Sequence, residues 1–497
     1  MRRRSRLFAL LLCLAPLAAR AEGQLAVTDA TALHALETSR FGLAQMLAPQ
    51  MAAPIANDAL FALPGMVPVR GALDDAFTRY LADHRNRAPG ESIGIGAGHD
   101  VLLFDRALLT SPEVRFVLAG IVNRMDRAYV APETCGEIRL IYRLTRTDAG
   151  NVPPRLPMTL NLVLHAKLPD ERVTCADLAA RWLAASGFME TGAALADRLM
   201  ASDGPLAKID AAQIDRIETN LQIAHRPKSE VAEFRTDYLQ KVFRREASTQ
   251  MFREVPMENQ IDRERLLADA ALGREFRDWL LAPANLRAFD RGTVLFPEKF
   301  LATTSLAATP VGFAPSALQP AFGLMVDGKG KGVFTESDVV AALAQAAKGG
   351  ALENIRSPAG FARRLSDITC GGCHQIRGIG GFHFTGVDSL AAQAVQGAVP
   401  ASPHFVGDQP RRRAIVISMR DGKTPDFSRG FSDRPQMRGS SELAGNSVND
   451  GWGATCYRRD AKGRLDASFA SWTCAEGLSC QPVGDDAASR IGMCFVK

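Results

Sequence analysis

Two neighbouring stretches, Ile138-Arg-Leu-Ile-Tyr-Arg-Leu144 and Met158-Thr-Leu-Asn-Leu-Val-Leu-His165, decide how the chain is read. In the first, Ile138, Leu140, Tyr142 and Leu144 alternate with Arg139, Ile141 and Arg143. In the second, Met158, Leu160, Leu162 and Leu164 alternate with Thr159, Asn161, Val163 and His165. Successive side chains of a strand point to opposite faces, so a period of two predicts two strands of a half-buried sheet. Asp148-Ala-Gly-Asn151 between them is turn chemistry and predicts antiparallel pairing. The start of the first strand then lies beside the end of the second. Cys135 and Cys175 flank those ends and can meet; a bridge there would stabilise by about 3–4 kcal/mol. Just upstream, Val114–Val122 is a largely apolar run of buried-strand length that ends in Asn123-Arg124-Met-Asp126.

Outward from this sheet the patterns turn helical. Residues 22–90 read as Ala-rich helix broken by Pro49, Pro54, Pro64 and Pro68. Gly94, Gly96 and Gly98 lack the G-x-G-x-x-G spacing of a phosphate loop and read as a tight turn. From Cys175 to about Asn285, Ala176–Ala185, Asp210–Ala224 and Arg263–Leu281 are predicted as helices, with an extended stretch near Phe234–Phe252. On that reading His225 caps a helix at the surface. Residues 286–350 read as short strand-like pieces with Gly-rich turns. The expected fold class is α+β: a helical N-terminal part and antiparallel sheet over 22–350, a mainly helical segment over 351–437, and a small disulfide-rich module over 451–497.

Composition narrows the function. Hydrophobic residues at 46% and charged residues at 23% are ordinary for a folded protein, which excludes a disordered or fibrous chain. Arg2, Arg3, Arg4 and Arg6 precede the apolar run Leu7–Ala19, and Ala19-Arg20-Ala21 offers a cleavage site. Residues 1–21 therefore read as a signal peptide, and the expected location is periplasmic or secreted. Five of the 59 Lys and Arg residues fall in that segment, so bases and acids balance in the remainder. A balanced chain lacks the basic footprint of a nucleic-acid partner. No later run has the length of a membrane span. Eight cysteines follow the leader, an even number suited to an oxidising compartment. Cys456, Cys474, Cys480 and Cys494 lie within a module too small for a hydrophobic core alone, so two bridges are expected there in one of three connectivities. Trp452, Tyr457, Phe469, Trp472 and Phe495 could form a ligand-binding patch, but in so small a module they are expected to be its core.

The chemistry centres on Cys370-Gly-Gly-Cys373-His374. Two thiols one helical turn apart reach the two vinyl groups on one edge of a haem, and the adjacent imidazole can ligate its iron. Ser357-Pro358 offers an N-cap and a first-turn proline, and Phe361, Leu365 and Ile368 mark one apolar helical face, so the motif closes an amphipathic helix. A thioredoxin-like dithiol should open a helix instead. Cys370, Cys373, His374 and His383 could hold zinc, but adjacent Cys373 and His374 make one tetrahedral shell awkward. A plain structural disulfide leaves the histidine as coincidence.

The helix leading into CxxCH resembles c-type cytochromes. The resemblance implies one covalent haem c, thioethers at Cys370 and Cys373, His374 as proximal ligand, electron transfer, and a redox partner protein. Met437 in Arg434-Pro-Gln-Met-Arg-Gly439 is the first candidate for the distal ligand; Met419, His383, His404 or an open face are the others. Asn123-Arg124-Met-Asp126, Cys135-Gly-Glu-Ile-Arg139 and Thr369-Cys-Gly-Gly-Cys-His374 are also similar to motifs of large exported bacterial proteins of unestablished function, over roughly residues 110–435. Glu137 and Arg139 themselves read as a buried ion pair at the start of a strand. Against the electron carrier stands a haem-free exported binding or structural protein whose CxxC is a disulfide or zinc site. A peroxide-consuming haem enzyme fits less well, because only one CxxCH is present.

Overall fold

A computed structural model describes residues 25–147, 155–226, 235–309, 324–369 and 403–430, with 52, 53, 97, 327–329 and 351 excepted, and 455–459, 465, 473–474, 478–482 and 491–496 near the C-terminus. The fold is α+β. Ten strands form one sheet: β1 (Ala26–Val27), β2 (Ile93–Gly94), β3 (Val101–Leu103), β4 (Val114–Arg124), β5 (Glu137–Arg146), β6 (Arg155–His165), β7 (Ile214–Arg226), β8 (Arg235–Arg245), β9 (Phe252–Val255) and β10 (Thr304–Thr309). The central order is β1-β4-β5-β6-β7-β8, all antiparallel; β9 and β10 share the outer edge of β8, and β3 extends the end of β7. β5 and β6 pair as the alternation predicts, with Glu137 opposite His165. Cys135 and Cys175 are bridged across that end, Cα atoms 5.3 Å apart.

Five expectations are corrected. The stretch Asp210–Ala224 is not a helix: Asp210 caps a short 3-10 turn, and Ile214–Arg226 is a central strand. Ile214, Ile217, Leu221 and Ala224 have helical spacing, but Ile217, Thr219, Leu221 and Ile223 also alternate, and β6 and β8 supply partners on both edges. His225 thus lies in β7, half-buried, with Nδ1 3.0 Å from Thr236 Oγ1, rather than capping a helix. The span Arg263–Leu281 is two helices, Arg263–Ala268 and Ala270–Leu281, because Asp269 ends the first and its carboxylate accepts from the Ala271 and Leu272 N–H groups of the second. Finally, the sheet is buried on both faces, not one: Arg139, Arg143 and Asn161 are as enclosed as Leu140 and Leu162. The stretch 286–350 also contains a helix, Glu336–Ala347, capped by Thr335.

The two faces meet different partners. Ile138, Leu140, Tyr142, Leu160, Leu162, Ile217 and Phe243 pack against the N-terminal helices in the first core. Val67–Arg87 contributes Val69, Leu73, Phe77 and Tyr80, one helical stripe turned to the sheet. A second core runs from Ile261 to Ile368 around Phe276, Phe289, Phe334 and Phe361, with Phe276 and Phe334 edge to face at 5.7 Å. The helix Pro358–Ile368 enters it as predicted: Ser357 Oγ accepts from the Gly360 N–H at 3.0 Å, and Phe361, Leu365 and Ile368 are buried. The helix Pro403–Arg420 returns to the first core, where Val416 is enclosed and Gln409 Oε1 accepts from the Leu25 N–H.

The C-terminal piece is a separate three-stranded sheet of β11 (Thr455–Tyr457), β12 (Leu478–Pro482) and β13 (Ile491–Val496), with β13 central. Cys456 and Cys480 are bridged, Cys474 is disulfide-bonded as well, and Tyr457 is buried beside them. Trp452, Phe469 and Trp472 lie outside the described residues. No described helix is long and apolar enough to cross a membrane.

Candidate functional site

The two motifs nearest the sheet start, Asn123–Asp126 and Cys135–Arg139, are brought together by β4–β5 pairing, which sets Asn123 opposite Ile138 and Arg124 opposite Glu137. Gly136 is required at their junction. Its φ is 90°, and a Cβ there would lie 2.7 Å from the Arg124 carbonyl oxygen. The turn aims Glu137 and Arg139 onto the polar face of the sheet.

On that face, side chains from β5 and β7 meet over β6. Arg139 and Arg216 both sit opposite Val163, whose short side chain leaves room above it. Arg139 donates to Glu137 at 3.0 Å and to Glu218 at 3.0 Å, while Arg216 donates to Glu137 at 2.9 Å and to Glu218 at 3.1 Å. Arg127, from the turn after β4, donates to Glu137 at 3.2 Å and reaches Glu258 with its other end. Burial opposes ionisation of Glu137, but Arg216, Arg127 and Arg139 outweigh it and hold the carboxyl well below its ordinary range. Burial likewise opposes ionisation of Glu218, which Arg139 and Arg216 keep lowered. The network is therefore locked in its charged form.

A second cluster joins this face to the helix Pro403–Arg420. Asp126 accepts from Arg124 at 2.8 Å and from Arg411 at 2.9 Å. Asp408 accepts from Arg411 at 2.7 Å, Arg412 at 2.8 Å and Arg429 at 3.2 Å. Burial and the neighbouring Arg124 push Arg412 down to about 10, which still leaves it charged at neutral pH. Four guanidiniums thus share two aspartates.

Between the sheet face and the second core lies a cavity of about 230 Å³. Its floor is the Glu137–Glu218 network with Asn161, Asn220 and Gln240; its rim includes Tyr129, Asn259, Ile368 and Arg429. Pockets of this kind favour seams between packed units. Sequence reasoning found Glu137 and Arg139 as an ion pair, and the structure contains that pair. It missed Arg127, Arg216, Glu218 and the amides. One signal was present: Arg216-x-Glu218 mirrors Glu137-x-Arg139, opposite charges two apart on one strand face.

The predicted haem residues Cys370, Cys373 and His374, together with Met437 and His383, lie outside the described residues, which end at Thr369 before the motif. Ile368, the last residue of the helix leading there, is on the cavity wall. His404 is in the first turn of Pro403–Arg420. Met419, near the end of that helix, is half-buried and packs against the first core. Five described cysteines are in disulfides: Cys135 with Cys175, Cys456 with Cys480, and Cys474. The sulfurs of Cys456, Cys474 and Cys480 lie within 4.8 Å of one another, but as disulfide sulfurs they are not free to bind a metal. Comparison with family models, curated proteins and solved structures gives no match.

Proposed function

We propose that the chain is an exported c-type cytochrome-like protein that carries one covalent haem and transfers single electrons. The observation that carries this reading is the allocation of cysteines. The disulfides at Cys135–Cys175 and Cys456–Cys480 engage four of the eight post-leader cysteines with one another, so none of those four is a partner for Cys370 or Cys373. Of the four that remain, Cys474 is disulfide-bonded and Cys494 belongs to the C-terminal module, while Cys370 and Cys373 stand with an imidazole in the order Cys-x-x-Cys-His, which fits haem attachment. Both disulfides also suit an oxidising compartment, consistent with Arg2–Ala21 as a cleaved leader and with periplasmic or secreted residence.

In this reading Cys370 and Cys373 would hold the haem through thioethers, and His374 and Met437 would be the ligands to its iron. The haem supplies a one-electron iron couple. The chain's own contribution begins with the helix Pro358–Ile368, anchored by Phe361 and Leu365 in the second core, which gives the motif a rigid base. Expression in a host with a haem-attachment system, followed by denaturation and a haem stain, is expected to show covalent haem that Cys373→Ser abolishes. A colourless chain from such a host overturns the proposal.

A haem-free binding protein is the second reading, and the cavity favours it, since its walls come chiefly from residues outside the CxxCH segment. Stoichiometric zinc without iron, or a Cys370–Cys373 disulfide in the purified chain, would establish that reading.

A further inference from the structure

The cavity floor carries polar groups that the fold itself does not satisfy. Asn161, Asn220 and Gln240 are each at most 8% exposed, yet Asn161 Oδ1, Asn220 Oδ1 and Gln240 Oε1 have no hydrogen-bond partner, and neither does Asn259 Oδ1 at the rim. In the orientation present, each of the four amides leaves its acceptor oxygen open. A buried amide without a partner costs roughly 1–3 kcal/mol, so four around one cavity call for an occupant with hydrogen-bond donors. They are also aligned: Asn220 sits directly opposite Gln240 in the β7–β8 register, and Asn161 opposite Glu218 in β6–β7.

Charge specifies the occupant further. Six guanidinium groups and four carboxylates line the cavity. Lys241 is left out of that count. It neighbours Gln240 on the strand and so turns to the opposite face, where it donates to Thr304 Oγ1 at 2.8 Å and pairs with Glu254. Nor do the acids behind the wall cancel the excess: Asp126 and Asp408 are shared with Arg411 and Arg412, and Glu298 offsets only Arg244, in an exposed pair at 3.6 Å. Guanidiniums offer paired donors that match carboxylate or phosphate oxygens. The volume, about 230 Å³, is below the roughly 300–1,000 Å³ typical of drug-sized ligands, so the occupant is small.

We propose that this cavity binds a small hydroxylated organic acid, its anionic group held by the arginines of the cavity wall, where guanidiniums outnumber carboxylates, and its hydroxyls by Asn161, Asn220, Gln240 and Asn259. The site is built without Cys370, Cys373 or His374, so the proposal does not depend on haem attachment.

The test uses the full mature chain with D-gluconate and citrate as probes, D-glucose as the neutral polyol and acetate as the anion without hydroxyls. Calorimetry is expected to show saturable gluconate or citrate binding that weakens with added salt, with glucose and acetate much weaker. Asn220→Leu should weaken binding about tenfold, the loss of one neutral hydrogen bond. If that variant melts far below the parent, Asn259→Ala at the rim is read instead, with the same direction expected. The Cys370→Ser, Cys373→Ser chain should bind as the parent does, so a failed haem stain and a failed binding curve are separate results. Glucose binding as tightly as gluconate, unchanged affinity in both amide variants, or a cavity holding water only at millimolar gluconate and citrate would each overturn the proposal.

Discussion

The two faces of the central sheet are built from the same strands and buried by opposite chemistry. On one face Leu140, Leu162 and Ile217 are fully enclosed among apolar neighbours, and their stabilisation follows area removed from water. On the other, one residue away along each strand, Arg139, Asn161 and Glu218 line a cavity beneath a second helical core. Apolar packing tolerates exchange of similar volumes, because it has no direction. An ion network is less forgiving: each group is affordable in the interior only while its partners stay in place. The apolar face therefore suits holding the sheet together, and the charged face suits presenting fixed charges to something small.

The sharpest way to break that comparison is to remove the carboxylate on which three arginines converge. Glu137→Gln keeps the shape and deletes the charge, leaving Arg127, Arg139 and Arg216 short of their common partner. We expect a loss of about 3–5 kcal/mol in urea unfolding, as a shifted midpoint with an unchanged slope. A loss under about 1 kcal/mol would mean the guanidiniums are solvated rather than held, and the charged face would be no different from an ordinary surface. Leu162→Ala, on the apolar face of the neighbouring strand, should cost about 3 kcal/mol through lost transfer and an unfilled hole. The two residues face opposite ways, so the double variant should lose close to the sum.

How legible these faces were differs for a physical reason. The apolar face could be read because Ile138, Leu140, Tyr142 and Leu144 repeat with the pleat, and so could the bridge between Cys135 and Cys175. Burial of the other face could not, since Arg139 and Asn161 look the same whether they meet water or a second set of helices. Strand β7 was hidden for a related reason. Its apolar residues satisfy both a helical and a strand period, and only pairing with β6 and β8 decides between them. The helix Pro358–Ile368 was legible because its cap, proline and apolar stripe are all local. Half of the cavity network was visible as Glu137 and Arg139; Arg216 and Glu218 join it only after the chain folds back across β6.

Acid should separate the faces without a change to the face under study. Glu137 and Asp126 are both held well below their ordinary ranges: burial raises each, but Arg216, Arg127 and Arg139 lower the first, and Arg124, Arg412 and Arg411 the second. A depressed carboxyl contributes stability that is complete above its unfolded pKa, here 4.5 for Glu137 and 3.8 for Asp126. That stability is lost as pH falls below those values towards the lowered folded ones. The deficit of Glu137→Gln relative to the parent should therefore narrow as unfolding is measured at successively lower pH, while the deficit of Leu162→Ala stays constant. Parallel curves for the parent and Glu137→Gln would show that Glu137 titrates as it does in the unfolded chain.

The smallest expected effect has the opposite sign. Thr159 lies on the charged face of β6, opposite Arg143, only 7% exposed, and its hydroxyl has no hydrogen-bond partner. Thr159→Val keeps the branched shape and removes a hydroxyl whose desolvation is uncompensated, so unfolding should show no loss and a gain of up to about 1 kcal/mol. The same exchange at Thr134, whose Oγ donates to the Ala131 carbonyl at 3.0 Å, removes a made bond and should cost about 1 kcal/mol. The pair separates two causes of the charged face's sensitivity. If Thr159→Val also destabilises, polar groups on that face are satisfied in solution even where the protein supplies no partner, and ordered water in the seam between sheet and second core is the natural supplier. If it stabilises, that part of the face is dry, and the unmet hydrogen-bonding capacity at Asn161 and Asn220 stands out as a feature of the cavity rather than of the whole face.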